Sequence, residues 1–134
     1  MVYFYSDYLQ MEYYSAQRVL ISQWYASCNS LQYRNALIKF LRLTRDLGIK
    51  YAVNDQRLLP SLSEDDLNWT LDVYLRSFCE APLQRFAIVN PFDAEASRQT
   101  KSILHNKHHQ VPFETHIFED LTSAYDWLLN GNAK

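Results

Sequence analysis

Glycine is almost missing from this chain of 134 residues, which contains only Gly48 and Gly131. Phosphate-binding loops of the P-loop and dinucleotide-binding kinds need closely spaced glycines, because bulkier residues keep the backbone away from the phosphates. There is also no serine between glycines of the kind that forms a nucleophile elbow. These absences argue against nucleotide binding of both kinds, and no other catalytic motif is present, so we expect a protein that is not an enzyme.

Cysteine is scarce as well. Cys28 and Cys79 lie in different predicted elements and lack the close Cys/His spacing of zinc sites. Because Cys79 follows Phe78 on an apolar helix face, packing is a better interpretation of it than nucleophilic catalysis. We expect both thiols to be reduced, as in a cytosolic protein.

Neither an excess of charge nor a long apolar run is present. The formal net charge is -2 and the pI is about 6.0, so no global attraction draws nucleic acid or an anionic membrane to this chain. No apolar run has membrane-spanning length, and residues 1–10 lack the features of a signal peptide. We therefore expect a soluble, cytoplasmic protein with no nucleic-acid partner and no membrane insertion.

The composition that remains is that of an ordinary globular protein. Hydrophobic residues make up 48% of the chain and charged residues 21%, which excludes a mainly disordered polypeptide. The length is typical of one domain around one core. We predict a single domain over residues 1–134, with a frayed tail at 132–134.

The order of the hydrophobic patterns predicts the fold. Alternation over 7–14 and 18–26 predicts an antiparallel hairpin. Helical spacing from Asn29 or Ser30 predicts a helix that ends at Gly48. The remaining predictions are strands at 49–54, 85–90 and 113–119, and helices that begin at Ser63, run from Asp93 to about His108, and end at Gly131. The order ββαβαβαβα predicts an α/β domain with a mixed, mostly parallel five-stranded sheet and four helices.

Two charged residues follow the predicted central strand. Asp55 and Arg57 stand just past its carboxyl end, the edge where open α/β sheets usually bind ligands. Together with Ser63 and the amide groups that open the next helix, Arg57 could hold a small anion. The alternative is structural, with Asp55 and Arg57 tying down the loop and Ser63 capping the helix.

Two apolar residues of the second predicted helix lie off its predicted inward stripe, which consists of Leu67, Leu71, Tyr74, Leu75 and Phe78. Trp69 and Val73 either cover the sheet edge or are exposed and form an oligomer contact.

The third predicted helix carries basic residues at helical spacing, namely Arg98, Lys101, His105 and His108. They could meet an acidic protein surface, but a solvated face near the negative end of the helix dipole also explains them. His105 and His109 are four apart, as in zinc-binding helices, yet no third ligand lies nearby. We expect no metal and no other cofactor.

Several short segments carry a family resemblance that spans most of the chain. They are Tyr51–Arg57, Arg85–Val89, Phe118–Asp120 and Ala124–Leu128. With the element order, they resemble the STAS-like superfamily, in particular its SpoIIAA-like branch. The resemblance implies a small regulatory or ligand-binding module, because related folds act as protein switches or bind nucleotides and lipids.

The resemblance also has a point of departure. Anti-sigma-factor antagonists of this superfamily are switched by phosphorylation of a serine that follows an aspartate at the end of the central strand. Asp55 matches that aspartate, but Gln56 and Arg57 follow it where the serine would be. No phosphorylation site is therefore carried over.

Together these observations predict a non-catalytic regulatory module that acts through protein contact, as a homodimer or with a partner chain, by way of Trp69 and Val73. The alternative is a domain that binds a small anionic molecule or a lipid, in a pocket formed by Asp55, Arg57 and Ser63 at the loop after the central strand.

Overall fold

A six-stranded sheet forms the centre of the fold in a computed structural model that describes residues 1–131. Its strands lie side by side in chain order: β1 Val2–Tyr5, β2 Leu9–Tyr14, β3 Val19–Trp24, β4 Tyr51–Asp55, β5 Arg85–Val89 and β6 Glu114–Phe118. Strands β1 to β3 are antiparallel, whereas β3 to β6 are parallel. The predicted frayed tail at 132–134 lies outside the described residues.

Four helices complete the domain: α1 Ser30–Asp46, α2 at 64–78, α3 Ala94–Leu104 and α4 Leu121–Asn130. Helix α2 is continuous but irregular, since a π-helical stretch, Thr70–Tyr74, separates the α-helical segments Glu64–Trp69 and Leu75–Phe78. Within residues 1–131, no helix combines the length and apolar character that crossing a membrane requires.

The two faces of the sheet are covered unequally. One face packs against α1, α2 and α3 around buried side chains such as Leu20, Phe40 and Phe86. The other face packs against α4, where Val53, Ala87 and Trp127 are among the buried residues. Because side chains alternate along each strand, neighbouring strand residues belong to different layers of the core.

The local signals that predicted helix α1 are confirmed. Asn29 is its N-cap and forms a capping box with Gln32, with each side chain accepting a hydrogen bond from the other residue's backbone amide. Gly48 follows the C-cap Leu47 and has a φ of 61°, a left-handed conformation that glycine adopts without steric cost.

The α/β class is confirmed, but the prediction of five strands was wrong. The additional strand is β1, which pairs antiparallel with β2. Its register shifts between Val2 and Phe4, so an irregularity interrupts the two-residue alternation by which a strand is recognised. The element order is therefore βββαβαβαβα.

The predicted end of the third helix was also wrong, because α3 stops at Leu104 and not near His108. The side-chain oxygen of Asn106 accepts hydrogen bonds from the backbone amides of His108 and His109, at 2.8 and 2.9 Å. This local turn replaces the helix. The histidines therefore do not continue the helical spacing of Arg98 and Lys101, and the predicted basic stripe is shorter.

Candidate functional site

A cavity lies between the sheet and helices α1 to α3, towards the carboxyl ends of β3 and β4. It has two chambers, of about 80 and about 40 Å³. The residues that line both chambers are Trp24, Tyr33, Leu37, Asn54, Gln56, Thr100 and Ile103. An outer cleft of about 360 Å³ shares Leu59, Pro60 and Leu62 with the smaller chamber. The cleft therefore lies next to the smaller chamber, beside the loop after β4.

Strand alternation places a polar side chain at the inner wall of this cavity. On β3, Leu20 and Trp24 point towards the helices, and Ser22 lies between them on the same face. Ser22 is paired in parallel register with Asn54 of β4, which also lines the larger chamber. The inward positions thus change from apolar to polar towards the strand ends.

Three hydrogen bonds fix most of the polar groups around the cavity. The indole nitrogen of Trp24 donates to Asn54 Oδ1 at 3.1 Å, and the Thr100 hydroxyl donates to Gln56 Oε1 at 2.9 Å. The hydroxyls of Tyr33 and Thr70 are 2.8 Å apart. These bonds hold side chains of the sheet and of three helices in defined positions.

Ser22 is the exception to this pattern. It is 2% exposed, and its hydroxyl oxygen is the one buried side-chain polar atom within residues 1–131 that has no hydrogen-bond partner there. Buried polar groups in folded proteins nearly always have a partner, and leaving one without costs about 1–3 kcal/mol. The Ser22 hydroxyl therefore needs a hydrogen-bond partner that the described residues do not supply.

The cavity is lined by uncharged groups. In the described part of the chain, no lysine, arginine, histidine or carboxylate lines either chamber. Burial raises the pKa of Tyr33 and of Tyr74 far above the ordinary tyrosine value, so both phenols stay protonated at every physiological pH. Aromatic side chains, including Phe40 and Phe86, form much of the remaining surface. This environment suits an uncharged molecule.

The predicted ligand residues Asp55 and Arg57 are brought together, in a tight ion pair. Arg57 donates from Nε to Asp55 Oδ1 at 3.0 Å and from Nη2 to Oδ2 at 2.8 Å, and its backbone amide donates to Oδ1 at 3.3 Å. Burial would raise the pKa of the Asp55 carboxyl, but the hydrogen bonds and charge of Arg57 outweigh this and hold the pKa below its ordinary value.

The third predicted ligand residue, Ser63, lies elsewhere. Its hydroxyl caps α2 by accepting a hydrogen bond from the Asp66 amide at 3.1 Å, and the residue borders the outer cleft. By strand alternation Asp55 shares the α4 face of the sheet with Val53, whereas the cleft opens on the α1 side. Anion binding by Asp55, Arg57 and Ser63 together stays a prediction, and the fork of Arg57 is engaged by Asp55.

The two residues predicted as an interface differ in their surroundings. The Trp69 ring stacks on Tyr74 with centroids 5.8 Å apart, meets Tyr33 edge-on at 6.3 Å, and lies 5.2 Å from the Arg34 guanidinium carbon. Val73, by contrast, is 55% exposed. Trp69 therefore packs within the chain, while Val73 faces solvent.

A buried carboxylate at the edge of the cleft was missed by the sequence reasoning. Asp66 accepts hydrogen bonds from Ser30 Oγ at 2.8 Å and from Arg34 Nε at 3.0 Å, and so joins α1 to α2. Three consecutive acidic residues begin α2, and their order does not reveal which one turns inwards. Ser63 gives no such signal either, because as N-cap it accepts a hydrogen bond from the backbone amide of Asp66 and leaves the direction of the carboxylate open.

The cavity residues were missed for a similar reason. Ser22 and Asn54 lie inside predicted strands, where a single polar residue is ordinary, and only the tertiary fold places them side by side. With regard to metals, no group of three His, Cys, Asp or Glu residues within 1–131 is arranged to hold an ion.

Comparisons of the chain with family models, with curated proteins and with solved structures gave no match. The resemblance to the STAS-like superfamily therefore stays a prediction, and the function is argued from the geometry of the site.

Proposed function

We propose that this protein is a cytosolic, non-catalytic domain that binds a small uncharged molecule in the cavity between the sheet and α1 to α3. The proposal keeps the idea of a small-molecule site from the sequence, but it replaces the small anion or lipid at Asp55, Arg57 and Ser63 with an uncharged molecule in a cavity that these residues do not line. The site consists of Trp24, Asn54 and their neighbours, with the outer cleft as the way in.

The observation that carries the proposal is a cavity that contains a buried hydroxyl without a protein partner. Left unfilled, about 80 Å³ of cavity would cost about 2 kcal/mol, at roughly 24 cal/mol per Å³. Larger side chains could fill this space, and the hydroxyl of Ser22 adds a further cost. Functional sites typically contain features that lower the stability of the folded protein, such as this cavity and this unpartnered hydroxyl.

The dimensions of the cavity set the size of the molecule. An engineered cavity of about 150 Å³ in another protein accommodates benzene. The two chambers here, about 80 and about 40 Å³, are adjacent, and both are smaller than that volume. One ring of benzene size is therefore the upper limit without movement of α3.

Filling the cavity tests the proposal. Ala36 is buried on α1 and lines the larger chamber, so Ala36→Leu should occupy it. Benzene and phenol should raise the Tm of the unmodified protein, because they bind only the folded state, whereas benzoate and benzylammonium should not. Ala36→Leu should abolish this rise.

The matched control is Ala94→Leu, an exposed position at the start of α3. This variant should keep the full response to benzene and phenol. An equal rise of Tm in Ala36→Leu, or an equal response to the charged compounds, would show that the probes bind elsewhere.

A second candidate function is regulation through protein contact, as a homodimer or with a partner chain. The observation that favours it is the exposure of Val73 on α2. Val73→Glu should convert a dimer to a folded monomer in sedimentation velocity, whereas Leu31→Glu, at a 70% exposed site on α1, should not. A sedimentation coefficient unchanged by Val73→Glu would remove this surface. Trp69 is unsuitable for the test because it packs within the chain.

A further inference from the structure

Two polar side chains lie next to each other on the wall of the larger chamber. Ser22 and Asn54 are directly paired across β3 and β4, so their side chains leave the sheet on the same face, about 4.8 Å apart at the backbone. Both line the chamber. A single ligand atom in that chamber could therefore be within reach of both.

The side-chain amide of Asn54 has a determined orientation. Its oxygen accepts the hydrogen bond from Trp24 Nε1, and an indole nitrogen can only donate. The oxygen must therefore face Trp24, which leaves the amino group as the free end. Asn54 thus offers the cavity a donor.

The Ser22 hydroxyl supplies a second polar group. It has no partner within residues 1–131, and it can turn to donate. Gln56, two positions after Asn54, also lines the chamber, and its Oε1 accepts the hydrogen bond of Thr100. One acceptor atom on a ligand would engage the Ser22 hydroxyl and the Asn54 amino group together, so these two groups favour a ligand that carries an acceptor.

From this arrangement we infer that the bound molecule is an uncharged ring that carries a hydrogen-bond acceptor, either a ring nitrogen or a carbonyl oxygen, and that Ser22 selects it. The inference rests on the proposed function. The ring packs against the aromatic lining, and the acceptor meets the hydroxyl of Ser22 beside the amino group of Asn54. An apolar ring of the same size leaves both donors without a partner.

Pyridine and benzene form a matched pair of probes, since each has six ring atoms and pyridine differs by one acceptor nitrogen. The variant is Ser22→Ala, which removes one oxygen atom. By ligand-observed NMR titration at neutral pH, where pyridine is uncharged, Ser22→Ala should weaken pyridine binding about tenfold and leave benzene binding unchanged or tighter.

A stability measurement distinguishes a role of Ser22 in ligand selection from a role in holding the structure together. Without probe, the Tm of Ser22→Ala should be unchanged or higher, because the hydroxyl has no bond within the protein to lose. The control is Thr44→Val, which removes a buried hydroxyl that donates to the Leu41 carbonyl at 2.7 Å, away from the cavity. It should lower the Tm and leave the affinity for both probes unchanged.

Each result has one meaning. If both probes bind and Ser22→Ala weakens neither, or weakens both equally, the inference about the acceptor fails while the binding function stands. A fall in Tm as large as that of Thr44→Val would assign Ser22 a structural role and also overturn the inference. If neither probe binds the unmodified protein, the proposed function fails, and this inference falls with it.

Discussion

At the scale of single residues, the direction of a side chain decides its role. Asp55 and Arg57 lie at the strand end that the sequence analysis selected, but they turn to the α4 face and bond each other. Asn54 and Gln56, the adjacent residues, face the cavity. The sequence predicts that successive strand residues point to opposite faces of the sheet. It does not predict which helices cover which face, because that depends on how the helices pack.

The ion pair predicts an unequal cost for its two members. Asp55 is 4% exposed, whereas the Arg57 side chain reaches solvent. Arg57→Gln leaves a buried carboxylate without its counter-charge, and should lower the free energy of unfolding by about 2–4 kcal/mol at neutral pH. Asp55→Asn should cost less, since a freed guanidinium can be hydrated. Urea unfolding measures both, and equal costs would contradict this account.

The same pair makes stability depend on pH. Because the folded pKa of Asp55 lies below its unfolded value of about 4, the pair contributes its stability above pH 4 and loses it as the pH falls through the folded pKa. The difference in unfolding free energy between the unmodified protein and Arg57→Gln should therefore shrink in acid. A constant difference across this range would show that the charge of Asp55 is not involved.

At the scale of elements, hydrophobic periodicity predicted correctly the helix whose spacing is regular, and it mispredicted the buried face of the helix whose spacing changes. Helix α1 follows regular spacing between clear caps, and it was predicted at both ends. In α2 the π-helical stretch adds a residue to one turn, so the segment before it is rotated about the helix axis relative to a regular helix. Asp66 in that segment and Thr70 at the start of the stretch are buried, while Leu67 is only partly buried. A constant period of 3.6 residues cannot describe both halves.

Asp66 should be the residue that fixes α2 on α1. Asp66→Ala removes the acceptor for Ser30 and Arg34, whose guanidinium stays partly exposed, and should lower the free energy of unfolding by about 1.5–3 kcal/mol. The neighbouring Asp65→Ala, at an exposed position in the same helical turn, should cost at most about 1 kcal/mol. Chemical denaturation of the two variants measures the difference, and similar losses would show that the dipole of α2, not this contact, accounts for the effect.

At the scale of the whole molecule, the unequal covering of the sheet determines where a cavity can form. Helix α4 alone packs over β4 to β6, and its side chains fill that side with buried residues such as Trp127 and Leu128. On the opposite side three helices meet the sheet, and side chains from all three line the cavity. The volume of a cavity is the small difference between the space that the packed elements enclose and the space that many side chains fill. No local pattern in the sequence therefore predicts it.

The central claim is that this cavity binds an uncharged ring, and methyl NMR during a benzene titration tests it most directly. The two sides of the sheet provide an internal comparison. The account predicts saturable shifts for methyl groups of the cavity side, such as Met11, Ile88 and Ile103, and none for those of the α4 side, such as Val19 and Val53. Absent shifts with benzene and also with pyridine, or equal shifts on both sides of the sheet, would contradict it.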